Sequence, residues 1–350
     1  MRRVTMRLAF AALLAVVETA CTVGLVPRVN YSARPMAVVP LGSTVTDSSE
    51  AFAEMFCAVL PHTDSGKWGR CGPYLETQVG PQTPVDTSLS TPLKVMLVGG
   101  AFSECFEDKG LYVFEPSLEH LRAHGIVFGK RVKIGGTATP MANAREIAQY
   151  LRDNVGDYIA IGHSKGAVDL MAAIQYHDIA RERIKVLVSV AGAIGGSRLS
   201  DLGVPLGIMG FRDAVRRAGL GNCDIEDHGG IASLQRGERY RELRAWKPPV
   251  ALRSYSIVGV SSYDRTSKPL QLLWRRNEYY SIDQDSHIIA EEGVIPGGEF
   301  LGVANADHWA LALPMSEHPL TAKKVDQNPF PRTALLEAIL RYVLRPAGTP

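Results

Sequence analysis

The sequence predicts an α/β fold with a mostly parallel central sheet and helices on both faces. Three observations carry this reading. From Thr91 onward, short β-branched runs alternate with helical stretches, the pattern of βαβ units. Those runs are apolar along their whole length, as strands covered on both faces must be. A Gly-His-Ser-Lys-Gly string (162–166) then joins one such run to a helical one. The chain has 350 residues, 46% hydrophobic and 21% charged, which suits one large domain with additions and excludes a disordered, collagen-like or coiled-coil protein.

Residues 21–90 are rich in Pro, Ser and Thr, with one helical pattern from Ser49 to Leu60. They read as an N-terminal extension that packs on a main domain of residues 91–350. Leu93 to Val98 is a buried strand that ends in two glycines. Leu118 to His124 has a helical pattern, and Val132 to Gly135 reads as a short strand. Ala142 to Asn154 is amphipathic, with Ile147, Tyr150 and Leu151 on one face. Asp157 to Ile161 is a strand, Lys165 to Tyr176 a helix, and Ile184 to Val190 another strand. Residues 193–250 are irregular and read as a cap or lid insert. Within them Ile208, Met209, Phe211 and Val215 fall roughly on one helical face, which suits a lid or a helix packed on the domain. Arg253 to Val260 and Glu299 to Ala304 complete the strands, and Thr333 to Leu344 is a closing helix.

The first 20 residues stand apart. Arg2, Arg3 and Arg7 precede an apolar run from Leu8 to Val17 that ends at Glu18. A membrane-spanning helix needs about 20 apolar residues, so this run reads as a secretory signal instead. Cys21, directly after Ala20, resembles the lipidated cysteine of a bacterial lipoprotein, although Glu18 stands where an apolar residue is usual. Lipidation there would anchor the chain to a membrane. Export to the periplasm or outer membrane, or secretion, is the expected localisation.

With Cys21 set aside, four cysteines remain, an even number suited to an oxidising compartment. Cys57 and Cys71 are separated by a Gly-containing loop that can fold back, so they are natural partners. That leaves Cys105 with Cys223. No CxxC pair or zinc-like His spacing occurs, so no metal is expected. A net charge of +2, from 38 basic and 36 acidic residues, gives no basic excess for nucleic acid.

Ser164 is the candidate nucleophile. A serine at a sharp strand-to-helix turn is pushed above the sheet edge, and glycines flank it because side chains there would collide with strand and helix. The helix N-terminus aims free N–H groups at the reacting oxygen. The bland alternative is a turn serine without chemistry. A serine hydroxyl needs a base, and the base needs an orienting carboxylate. His308, in Asn305-Ala306-Asp307-His308-Trp309, lies just past the last strand and is the candidate base. His163 is expected to point under the turn, and His287 to be a surface or pocket residue. For the acid, Asp264, Asp283, Asp285, Glu291 and Glu292 all follow the strand ending near Val260. Asp285 is preferred and Asp283 is the alternative, while Asp307 is expected to shape its turn. The oxyanion hole should combine the backbone N–H of Lys165 with that of Ala101 or Phe102, after the Gly99-Gly100 pair.

The Gly162–Gly166 string, the Val-Gly-Gly-Ala-Phe loop, the Asp285 segment and Asn305 to Leu311 together resemble the α/β-hydrolase superfamily, specifically its bacterial lipase- and esterase-like members. The resemblance spans about residues 91–345. It implies a Ser164–Asp285–His308 triad and cofactor-free hydrolysis of a small-molecule or lipid ester through an acyl-enzyme. Acyltransferase or peptidase chemistry on the same residues, and a non-catalytic envelope binding protein, are the alternatives. Two residues depart from the pattern: Lys165, where many lipases carry a smaller or apolar side chain, and Ser286, where glycine often follows the acid.

Overall fold

The computed structural model describes residues 45–77, 92–221, 226–325 and 329–345. The proposed signal, Cys21 and Cys223 lie outside them. In chain order the elements are β1 (Thr46–Asp47), α1 (Ser49–Val59), β2 (Lys94–Val98), α2 (Ser103–Glu107), α3 (Glu115–Ala123), α4 (Pro140–Asp153), β3 (Tyr158–His163) and α5 (Lys165–Tyr176). They continue with α6 (Asp178–Arg183), β4 (Ile184–Val190), α7 (Val204–Arg217), α8 (Arg236–Ala245), β5 (Arg253–Gly259), α9 (Gln271–Glu278), β6 (Glu299–Ala304) and α10 (Arg332–Leu344).

The six strands form one all-parallel sheet in the order β1-β6-β5-β4-β3-β2. Alternation along the strands decides which helices cover which face. Ile159, Ile161, Val186 and Val188 point to the face packed by Phe52 and Phe56 of α1, Leu118 of α3 and Leu336 of α10. Tyr158, Ala160 and Leu187 point to the other face, against Ile147 and Leu151 of α4 and Leu170 and Ile174 of α5. Each Val, Leu, Ile or Phe side chain buried in full contributes about 1.5–3 kcal/mol, so the doubly covered strands dominate the core. Helix α4 starts cleanly because Thr139 Oγ1 accepts the Ala142 N–H at 3.2 Å and Pro140 begins the first turn.

The extension is built into the sheet. Its strand β1 pairs with β6, and α1 lies in the core beside α10. Cys57 and Cys71 form a disulfide with Cα atoms 5.2 Å apart, the expected pairing. Closing so short a loop stabilises by about 3 kcal/mol in the chain-entropy model. Cys105 is also disulfide-bonded.

Two local expectations are corrected. Val132 to Gly135 is not a strand: among the described residues the outer edge of β2 is met by a single bridge, between Val95 and Phe128. Further along, both backbone groups of Gly135 are taken by the Asn143 side chain, which removes them from any ladder. In the insert, Phe211 and Val215 are buried on the inner face of α7, but Met209 is 63% exposed. Residues 208, 211 and 215 share a helical face, and residue 209 is turned about 100° away. The insert also divides, since α8 packs Leu243 on the α4–α5 side of the sheet. No helix among the described residues is long and apolar enough to cross a membrane.

Candidate active site

The candidate residues lie beyond the carboxyl ends of the strands, where open parallel sheets place their ligands. Ser164 joins β3 to α5 with φ 56° and ψ −125°, a conformation costly for any residue with a side chain. The end of β4 and the loop after it hold it there. Ser164 N–H donates to the Val190 carbonyl at 3.2 Å, and the Ser164 carbonyl accepts from Ala193 N–H at 3.2 Å. The flanking glycines are obligatory on contact grounds. A Cβ on Gly162 would lie 2.4 Å from Ala167 N, and one on Gly166 would lie 2.4 Å from the carbonyl oxygens of Val98 and Gly99. Gly100 of the opposite loop comes closest of all to the serine: a Cβ there would sit 2.7 Å from Ser164 Cβ.

His308 lies in the turn after β6, and its Nδ1–H donates to Asp285 Oδ2 at 2.7 Å. The other oxygen of Asp285 accepts the N–H groups of His287 at 2.9 Å and Ile288 at 2.8 Å. The Asp285 carbonyl accepts His308 N–H at 2.8 Å, so backbone and side chain clamp the two residues together. Of the two expected acids, Asp285 is the one on His308. Asp283 turns the chain, its carbonyl accepting Ala290 N–H, while Asp264 and Glu291 are exposed and Glu292 pairs with Arg236. Asp307 is buried and shapes its turn through the N–H groups of Ser267 and Ala310. Ser286 has φ 87°, which accounts for glycine being common at such a position.

Three imidazoles stack here. His308 lies between His287, at 4.4 Å and nearly parallel, and His163, at 4.7 Å. His163 does not turn under the elbow. Its ring nitrogen Nε2 donates to the His308 carbonyl at 3.0 Å, so it braces the loop that carries the base. Burial pulls the pKa of His308 and of His163 down to about 3, and that of His287 well below its ordinary value. Burial also pushes Asp285 up to about 6, against the pull of His287 and of the two backbone N–H groups. His308 is therefore neutral near pH 7, and with Nδ1 donating, its Nε2 carries the free lone pair. Asp285, His287 and His308 offer ligand atoms within 4.8 Å of one another. The Asp285 oxygens are already occupied by three N–H donors, which suits an orienting carboxylate better than a metal ligand.

Ser164, His308, His287 and His163 line one cavity of about 70 Å³ with Ala101 and Phe102. Its other walls are mostly apolar, chiefly Phe106, Phe211, Leu273, Leu313 and Trp309, with Glu107 and three serines among them. Phe102 adopts φ 62° at the start of α2, and its ring stacks on Phe211 of α7 at 3.7 Å. The backbone N–H groups of Ala101, Phe102 and Lys165 make no hydrogen bond among the described residues. Lys165, an oddity in the sequence, does not enter the cavity: its side chain is fully buried on Asp169. Sequence reasoning missed the bracing roles of His163 and His287. The nearness of His287 to Asp285 in the chain was the available signal.

No family model matches the chain, and none of the curated proteins does. Solved structures do. The metagenomic carboxyl esterase MGS0156 is 30% identical, with a TM-score of 0.76 over 89% of this chain and 96% of its own. The Bacillus licheniformis lipase BlEst2 in its mature form is 17% identical, with a TM-score of 0.51 over 65% of this chain and 89% of its own, a likeness of fold. With the parallel sheet, the strained serine turn and this similarity together, the chain belongs to the α/β-hydrolase superfamily.

Proposed function

We propose that the protein is a serine ester hydrolase that works through an acyl-enzyme on Ser164. The observation that carries this reading is the buried Asp285–His308 pair, whose His308 lines the same cavity as a serine held at φ 56°. His308 Nε2 removes the Ser164 proton as Oγ bonds to the carbonyl carbon. The N–H of Lys165, with that of Ala101 or Phe102, holds the oxyanion. The C–O bond to the leaving alcohol then breaks as His308 returns the proton, and water repeats the cycle on the acyl-enzyme. Asp285 holds the ring in the productive tautomer and stabilises the imidazolium.

Similarity to a carboxyl esterase supports an ester as substrate. The small apolar cavity favours a short acyl chain. Export belongs to this reading, supported by the arginine-led apolar run at the N-terminus and by the Cys57–Cys71 disulfide.

Labelling by a fluorophosphonate tests the nucleophile. The wild type should react and Ser164→Ala should not, while turnover of p-nitrophenyl butyrate by Ser164→Ala falls by several orders of magnitude. Asp285→Asn should lower kcat by about 10³–10⁴-fold, because the amide misorients the imidazole, whereas Asp283→Asn stays near wild type. An unlabelled wild type, or equal effects at Asp283 and Asp285, would overturn the assignment.

A further inference from the structure

A line of buried and half-buried polar contacts runs from the serine turn to the opposite loop. Lys165 directly follows Ser164, and its Nζ donates to both oxygens of Asp169, at 2.8 and 2.9 Å. Neither side chain is exposed. Asp169 also accepts from Asn143 Nδ2 of α4 at 2.8 Å. The same amide grips Gly135, donating to its carbonyl at 2.8 Å and accepting its N–H at 3.0 Å. Gly136, next in the chain, donates to Glu104 Oε1 and lies hard against the loop after β2. A Cβ on Gly136 would be 2.5 Å from Phe102 N and 2.7 Å from Ser103 N.

The two ends of this line are the two sides of the proposed oxyanion hole: Lys165 at one, Phe102 at the other. A buried ion pair is a poor device for stability alone, since an apolar pair of similar volume often does as well or better. What it does supply is directional contact at fixed length. An apolar contact between α4 and α5 would hold the helices together without setting the height of Gly135–Gly136 against Phe102.

We propose that Lys165, Asp169 and Asn143 are positioning residues that fix the spacing between the two N–H donors of the oxyanion hole. The proposal rests on the serine-hydrolase reading above. Displacing one donor by a fraction of an ångström weakens its bond to the oxyanion more than it weakens binding of the ground-state ester, so the loss falls on kcat. The apolar double variant Lys165→Met with Asp169→Leu, and separately Asn143→Ala, which leaves the ion pair whole, test this.

Both variants should melt as cooperative folded proteins and still be labelled at Ser164 by a fluorophosphonate, more slowly than wild type. With p-nitrophenyl butyrate, kcat should fall about 10–100-fold while KM stays within about twofold. Affinity for a trifluoromethyl ketone, which forms the tetrahedral adduct, should fall by the same factor as kcat. A folded variant with wild-type kcat and wild-type ketone affinity would overturn the proposal and leave the network a packing device. A rise in KM with kcat unchanged would overturn it too. If the double variant does not fold, Asn143→Ala decides alone. Failure of the serine reading shows separately, as an unlabelled wild type.

Discussion

The serine turn and the α7 wall face one cavity, and they are built to different tolerances. At the turn and the loop facing it, three glycines approach neighbours so closely that one added carbon would overlap backbone or the nucleophile itself. At α7, the contact is a stack of Phe211 on Phe102, side chain on side chain, and the helix leaves Leu206 and Met209 more than half exposed. Backbone packed against backbone cannot yield, whereas a ring can be trimmed or exchanged. In the proposed enzyme the first region sets whether the reaction runs, and the second sets which acyl chain fits.

The largest expected effect that separates the two is at Gly100. In Gly100→Ala the new methyl group would sit 2.7 Å from Ser164 Cβ, so the loop or the serine must shift. Shifts of that size cost about a hundredfold in rate, and the loss of kcat/KM should be similar for acetate, butyrate and octanoate esters. A loss confined to one chain length would place Gly100 in acyl selection and break the division drawn here.

Phe211→Ala probes the other side with a smaller, selective effect. Removing the ring enlarges the cavity, so the ratio of octanoate to butyrate turnover should rise about tenfold while fluorophosphonate labelling persists. The truncation should also cost about 3 kcal/mol of stability, as buried Phe→Ala changes do. Met209→Ala, on the exposed face of the same helix, should change neither quantity. An unchanged chain-length profile in folded Phe211→Ala would remove α7 from the acyl wall.

The same contrast explains what could be read from the chain. The serine turn is local: glycine, serine and the flanking strand and helix sit within a few residues, and the steric demand is written in their identities. The parallel sheet was legible because its strands are apolar on both faces. Asp285 is preferred to Asp283 through its resemblance to the acid-to-histidine spacing of lipase-like enzymes, and the structure sets Asp285 on His308 at 2.7 Å. What lay beyond the sequence was tertiary. Lys165 is only a departure from the lipase pattern until Asp169 and Asn143 are placed around it, and Val132 to Gly135 looks like a strand until the Asn143 amide takes the backbone groups of Gly135. His163 is expected under the turn from its place beside the serine, and only the fold sets its ring against His308.

His163 also gives the smallest effect, one that asks whether the turn is as dry as it is tight. Its ring is 4% exposed and its pKa is pulled down to about 3, first by burial and then by His308. The folded state therefore leaves it neutral at pH 6, where an unfolded chain protonates most of its imidazoles. The unfolded state binds more protons, so stability must fall as pH falls through about 6.5. From pH 7.5 to 6.0 one such group accounts for about 0.8 kcal/mol. His308 behaves alike, and Asp285, pushed up to about 6, acts in the opposite sense by taking a proton in the folded state. These other groups are present in parent and variant, so the difference measurement reads His163 together with its coupling to Asp285 and His287. Urea unfolding of wild type and His163→Asn at the two pH values should show the variant losing about 0.8 kcal/mol less than its parent over that interval. Equal losses would mean that His163 already takes up its proton in the folded state, and that water or a counter-charge reaches the back of the turn.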